Sequence, residues 1–222
     1  MTARKAILAG IRKALGRGPL DGAAAQALEA RIAGRVANLI PARSLQPQGE
    51  LVALFQRMAE AVGVTVARVG DADAVPAAVA DYLAAQNLPA AVRIAPDPAI
   101  AGLPWDSRPT LAVSSGPARP DDLVSVTPAF AGIAETGTLM LLSGPDSPTT
   151  LNLLPDTHIV VLRRSQIVGP YEDAWNRLRA TRSDMPRTVN LITGPSRTGD
   201  IELKILLGVH GPRRLHLILI ED

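Results

Sequence analysis

Three short stretches of this chain carry the residue types best suited to chemistry. The first is Gly132-Ile-Ala-Glu135-Thr136-Gly137-Thr138, which leads into the apolar run Leu139–Leu142. It puts a carboxylate at the mouth of a strand and, two residues on, a glycine that admits a close approach by backbone or ligand. Glu135 there suits a nucleophile or general base if its surroundings tune its pKa. The plain alternative is a surface-turn glutamate bonding backbone amides. The second stretch is Gly194-Pro195-Ser196-Arg197-Thr198-Gly199-Asp200-Ile201-Glu202, directly after the apolar run Val189–Thr193. Its glycines expose backbone N–H groups, Ser196 and Thr198 add hydroxyls, and Arg197 adds a planar fork, a set that suits phosphate or carboxylate. Thr198 is placed to cap a short helix whose first turn carries Asp200 and Glu202. The GK[ST] ending of a Walker loop is absent, and an ordinary capped turn is the competing reading. The third is Gly208-Val209-His210-Gly211-Pro212, where His210 stands between two glycines as a candidate general acid or base, or as a turn histidine bonded to backbone.

The elements that must position these stretches follow from periodicity. Residues 2–16 read as a basic helix with Ile7, Leu8, Ile11 and Leu15 on one stripe, and Asp21 caps a second helix over about 22–39. Pro41–Gly49 reads as a linker. From Glu50 the pattern changes to helix–strand alternation. Helices are expected over Glu50–Val62, Ala74–Gln86 and Tyr171–Arg182. Strands are expected at Val64–Val69, Ala91–Ala95, Leu111–Ser114, Leu123–Thr127, Thr138–Ser143, His158–Leu162, Val189–Thr193 and Leu215–Ile220. The reading is an α/β domain, residues 46–222, with a mostly parallel sheet flanked by helices, preceded by an N-terminal helical appendage, residues 1–45. Val64–Val69, Leu139–Leu142 and Val189–Thr193 are expected in one sheet. Ligands of such sheets bind beyond the carboxyl ends of the strands, so Glu135, Ser196, Arg197, Thr198 and His210 are expected to line one cleft there. His158 and His216 fall within strands and read as packing residues, and Trp105 as a cover for the core edge.

Composition bounds the chemistry. The chain has 222 residues and no Cys, which excludes disulfides, thiolate zinc sites, a Cys nucleophile and Cys-held iron–sulfur clusters within it. Its three His, at 158, 210 and 216, are too dispersed to suggest a metal site. With two Trp, two Tyr and two Phe, stacking platforms for single-stranded nucleic acid are lacking. The dinucleotide fingerprint Gly-x-Gly-x-x-Gly is missing, and no Ser/His/Asp triad can be assigned. No apolar run reaches the ~18 residues of a membrane span, and Arg12 and Lys13 interrupt any secretory core; a cytoplasmic protein is expected. The net charge of +2 hides segments of opposite sign: residues 163–214 hold ten bases and five acids, residues 71–135 three bases and eight acids. The basic segment points to a small anionic ligand or an acidic partner, but it is too sparse for DNA.

GIAETGT at 132–138, LLPDTHIVVL at 153–162, and GPSRTGDIE followed by GVHGP across 194–212 resemble the lactate utilization protein C family, whose members carry a LUD domain. The resemblance covers about residues 50–220. It implies a fold like that of glucosamine-6-phosphate deaminase (NagB), ribose-5-phosphate isomerase and the CoA transferases. It also implies a subunit of a bacterial system that oxidises L-lactate to pyruvate, beside a partner that carries iron–sulfur clusters and its own LUD domain; this chain would hold no cofactor. Carried over by position, the family's residues are Glu135, Thr136, Gly137 and Thr138; Gly194, Pro195, Ser196, Arg197, Thr198, Asp200 and Glu202; and Gly208, His210, Gly211 and Pro212. Glu135 and His210 would be the catalytic pair, and Thr136, Gly137, Thr138, Gly194, Ser196, Arg197, Thr198, Asp200 and Glu202 would bind substrate. The family often has Arg where Thr149 stands and Ser where Asn152 stands, which leaves Arg163, Arg164 and Arg197 to grip an anion. A stand-alone enzyme acting on a sugar phosphate or acyl-CoA, or a noncatalytic assembly subunit docking through its basic helices, are the alternatives; fold analogy cannot decide among them.

Overall fold

A computed structural model describes residues 2–201 and 204–221, with side chains described outside 199–206. The chain divides into two units, residues 1–39 and 40–222. The first contains α1 (Ala3–Ala14) and α2 (Gly22–Gly34). Asp21 caps α2 by accepting a 2.7 Å hydrogen bond from the Ala24 amide. The helix stops five residues short of the expected end, where Arg35 turns left-handed at φ 43°.

The second unit starts with a 3-10 turn at Ala42–Ser44 and α3 (Gln48–Ala61), so the expected linker is partly structured. There follow β1 (Thr65–Val69), α4 (Val75–Ala85), β2 (Ala91–Ile94), α5 (Pro98–Ala101), β3 (Ala112–Ser115) and β4 (Val124–Pro128). Next come β5 (Ala131–Ile133), β6 (Thr138–Leu142), α6 (Thr150–Leu153), β7 (Thr157–Arg163), β8 (Ile167–Val168) and α7 (Tyr171–Thr181). The chain continues with β9 (Val189–Ile192), β10 (Arg197–Ile201), β11 (Lys204–Leu207) and β12 (Arg214–Ile220).

Six strands form an all-parallel sheet in the order β1-β12-β7-β4-β2-β3. This is the expected mostly parallel α/β architecture. The expectation of a single sheet fails, however. β6 and β9 lie in a separate four-stranded sheet, β8-β5-β6-β9, where β6 runs antiparallel to both neighbours. The reason is local. Only the four residues 134–137 separate β5 from β6, enough for a hairpin but far too few for the crossover that a parallel pair needs.

Strand alternation divides the core. On one face of the parallel sheet, Val160, Leu162, Leu217 and Leu219 pack with Leu51, Phe55 and Ala59 of α3 and with Leu139 and Leu141 of β6. On the other, Ile159, Val161, Ile218 and Ile220 pack with Val75, Val79 and Leu83 of α4 and with Trp105. Both faces are covered, which is why β7 and β12 read as continuous apolar runs. The small sheet buries Ile133 and Met140 against Ala174 and Leu178 of α7. Each fully buried Leu, Ile or Phe contributes roughly 1.5–3 kcal/mol relative to an exposed one.

Candidate functional site

A pocket of about 240 Å³ opens where the segment after β9 and the turn before β12 meet. Its polar lining is Asn152, His158, Thr193, Ser196 and His210; its apolar walls are Leu153, Leu191, Ile192 and Leu215, with Pro195 and Pro212. The two loops are lashed together by backbone. The Ser196 amide donates to the Pro212 carbonyl at 2.8 Å, and the Gly208 amide donates to the Ser196 carbonyl at 3.1 Å. Gly194 has φ +89°, and a Cβ would fall 2.8 Å from the Val62 carbonyl oxygen; only glycine fits without displacing the end of α3. Buried Thr198 brings its Oγ1 to 3.3 Å from Nδ1 of His210, which stands exposed at the mouth.

His158 forms the floor. It enters from the start of β7 on the same side as Val160 and Leu162 and is wholly buried. Its Nε2 lies 2.7 Å from Thr127 Oγ1. Burial pushes the imidazole pKa down to about 3, so the ring is neutral at physiological pH. Asn152 comes from α6 and is nine-tenths buried; the Ser125 hydroxyl anchors α6 by donating to the Leu151 carbonyl at 2.6 Å.

Of the residues singled out from sequence, Gly194, Pro195, Ser196, His210, Gly211 and Pro212 line this pocket, and Thr198 reaches it through His210. The other described ones do not line it. Glu135 sits in the β5–β6 turn, where its amide donates to the Gly169 carbonyl at 3.1 Å. Thr136 and fully buried Thr138 belong to a hydroxyl cluster: both lie 2.9 Å from the Tyr171 hydroxyl, and Thr138 lies 2.6 Å from Thr193 Oγ1. Thr193 thereby ties that cluster to the pocket wall. Gly137, at φ +68°, presses on α3; a Cβ there would fall 2.6 Å from the Met58 carbonyl carbon and closer still to the Ala59 nitrogen. The ETGT motif is thus chiefly a packed turn.

Arg197 lies outside the pocket lining. Its guanidinium donates to the Val62 carbonyl at 3.1 Å and so satisfies a backbone acceptor at the end of α3. Residues 197–201 form strand β10 of a hairpin with β11 rather than the first turn of a helix, so no helix dipole gathers anions there. Asp200 lies in β10 with its side chain outside the described residues, and Glu202 lies outside the described residues altogether. The side of the sheet is corrected too. The pocket lies at the amino ends of β7 and β12, because its loops precede those strands. The carboxyl ends of β2 and β4 border a different cleft of about 330 Å³, which includes Asp97, Phe130, Gln166 and Arg182.

His158 and Asn152 are the site residues that sequence reasoning missed. A histidine between Thr157 and Ile159 in an apolar strand reads as core. The available signal was parity, which places it on the same face as Val160 and Leu162, toward the second sheet. Among the described residues, no group of three or more His, Asp or Glu is placed to hold a metal ion, and no helix is long and apolar enough to cross a membrane.

Known proteins resemble this chain in sequence and in fold. The model of the LUD domain family matches residues 123–220, which span β4 to β12 and all of the pocket. The chain is 37% identical over 102 residues to lactate utilization protein C of Bacillus subtilis, covering 45% of this chain and 42% of that protein. It is 36% identical over 102 residues to lactate utilization protein C of Macrococcus caseolyticus, covering 45% and 44%. The resemblance carried by the motifs therefore holds, although these matches span less than half the length of either relative. The crystal structure of a DUF162 family protein from Deinococcus radiodurans superposes with a TM-score of 0.60 at 27% identity, covering 79% of this chain and 99% of that one.

Proposed function

We propose that this chain, with its LUD domain segment, is a subunit of a bacterial lactate utilization system that oxidises L-lactate to pyruvate, and that the pocket between the β9–β10 segment and the turn before β12 binds the small acid. The observation that supports the reading is the similarity to proteins named lactate utilization protein C, together with the LUD domain match over residues 123–220, a span that includes the pocket lining. A volume of about 240 Å³ suits a molecule of a few carbons. The Ser196 hydroxyl and the His210 ring stand together where they can meet a carboxylate, and the leucine and isoleucine walls can take a methyl group. His210 is the residue placed to exchange a proton with a bound acid; Glu135, which lies outside the pocket, holds the β5–β6 turn. In this reading a partner subunit with iron–sulfur clusters would take the electrons from lactate, since this chain has no cysteine to hold a cluster.

Two measurements test this. Lactate oxidation by the assembled system is expected to require this chain. Calorimetry is expected to show L-lactate or pyruvate binding to the purified chain, weakened about three- to tenfold by Ser196→Ala, the scale of one hydrogen bond. Full oxidation without the chain would overturn the subunit role, and absence of binding would overturn the pocket assignment.

A further inference from the structure

One side-chain amide in this pocket is unspent. Asn152 is 4% exposed and lines the pocket, yet its side chain makes no hydrogen bond among the described residues. Polar groups so deeply buried are nearly always paired. Nor is the amide sealed off. The unpaired side-chain atoms that are shut from solvent belong to Thr157, His158, Asn190 and His216. Asn152 is outside that set and has no bond, so both its Oδ1 and its Nδ2 keep surface that a small molecule can touch. The neighbouring cleft along the same segment takes in Thr149 and Thr150 but not Asn152. The surface that Asn152 retains therefore opens into this pocket.

The backbone that carries the amide is fixed. Leu151 beside it is fully buried, with its carbonyl held by the Ser125 hydroxyl, and the backbone N–H of Asn152 donates to the Thr149 carbonyl at 3.1 Å. Around it stand Leu153, Leu191, Ile192 and Leu215, so a hydrogen bond lost here is not cheaply replaced. A carboxamide asks for two partners, a donor for Oδ1 and an acceptor for Nδ2. A ligand that displaces solvent from it keeps its affinity only by returning both bonds. Carboxylate and keto oxygens only accept, and either would leave Oδ1 unpaired beside apolar walls. An alcohol hydroxyl donates to Oδ1 and accepts from Nδ2.

We propose that Asn152 is a specificity-determining residue that recognises an alcohol hydroxyl, so that the pocket prefers a 2-hydroxy acid to the corresponding 2-keto acid. This deepens the lactate reading and rests on it for the identity of the molecule. The gradient of burial sets the orientation. The C2 hydroxyl points inward to Asn152, and the carboxylate points outward, toward Ser196 and the exposed His210. Pyruvate then leaves more readily than L-lactate, because it lacks the proton that Oδ1 accepts.

The test uses the full chain with ¹⁵N-labelled asparagine. The probes are L-lactate, pyruvate, propionate and 1,2-propanediol, which carries hydroxyl and methyl groups without the carboxylate. Calorimetry is expected to show L-lactate bound at least about fivefold more tightly than pyruvate or propionate, the scale of one hydrogen bond. L-Lactate and 1,2-propanediol are expected to move the Asn152 Nδ2 resonances. Asn152→Leu, which keeps the bulk, is expected to abolish the preference for L-lactate over pyruvate; a merely structural asparagine would leave that ratio unchanged. If the variant does not fold, the resonances of the unaltered protein serve as the readout. Movement with 1,2-propanediol but no binding of any acid would support the hydroxyl site and overturn the lactate reading. L-Lactate binding with Nδ2 unmoved, or a preference over pyruvate below about fivefold, would overturn the Asn152 assignment and leave the lactate reading standing. No response to any of the four probes would overturn both.

Discussion

Lowering the pH from 7 to 5 is expected to destabilise this protein through two histidines that it buries uncharged. His158 titrates at about 3 and His216 at about 4, both lowered by desolvation from the ordinary 6.5. His216 is covered by the Tyr82 ring, stacked on it with centroids 3.9 Å apart. The sign follows from which state takes up protons first. The unfolded chain protonates each ring near pH 6.5, whereas the folded protein resists until pH 4 or 3. Stability is therefore intact above the unfolded pKa and falls as pH drops below it, down to the folded values. Between pH 7 and 5 each ring costs about 2 kcal/mol, and the two together about 4 kcal/mol. The carboxylates Asp122 and Glu221, whose pKa values their arginine partners lower, add a loss of the same sign, but only as pH falls through the carboxylate range. Urea unfolding followed by circular dichroism at pH 7, 6 and 5 measures the slope. His158→Phe and His216→Phe should each remove about half of it, whatever either does to stability at pH 7. A loss under about 1 kcal/mol in the unaltered protein, or variants whose slopes are as steep as that of the unaltered protein, would refute the reasoning.

Gly137→Ala is expected to cost more than about 3 kcal/mol, since the new Cβ meets the α3 backbone at a left-handed φ; a urea midpoint close to that of the unaltered protein would contradict the packing described for the ETGT turn. Arg197→Ala is expected to cost about 1 kcal/mol or less, the value of one exposed hydrogen bond to a carbonyl, and to leave pyruvate binding unchanged in calorimetry. A tenfold loss of affinity would instead restore Arg197 as a ligand-gripping residue.

Most of the parallel sheet was legible because its strands are short apolar runs separated by helices of clear period. The ends of β1, β2, β4, β7 and β12 fall within a residue or two of where the pattern puts them. What the pattern could not show is pairing. β6 is as apolar as β7, yet it belongs to another sheet, and only the shortness of the 134–137 turn betrays it. Gly-Pro-Ser-Arg-Thr-Gly looked like an anion loop because its residue types match one, but the same glycines and hydroxyls serve a hairpin whose arginine bonds the end of α3. Gly194, Ser196 and His210 came together because the two loops that carry them are tied by backbone. Glu135 was grouped with them by proximity to a strand end, a criterion blind to which end and which sheet. His158 escaped notice because a histidine among apolar strand neighbours reads as packing, and which loops gather at its end of the strand is a matter of tertiary structure.

The placement of β12 governs the order in which this protein can be made. β12 is the strand between β1 and β7, and residues 65 and 216 meet across 151 positions. Until residues 214–220 leave the ribosome, β1 has no neighbour in the parallel sheet, and α3 and α4 have only part of the surface they cover. At about 5–20 residues per second, that interval lasts about 8–30 s. Throughout it the growing chain offers an open β-edge at Thr65–Val69, joined by the edge of β7 once residues 157–163 are made, sites for chaperones or for aberrant pairing with a neighbouring nascent chain.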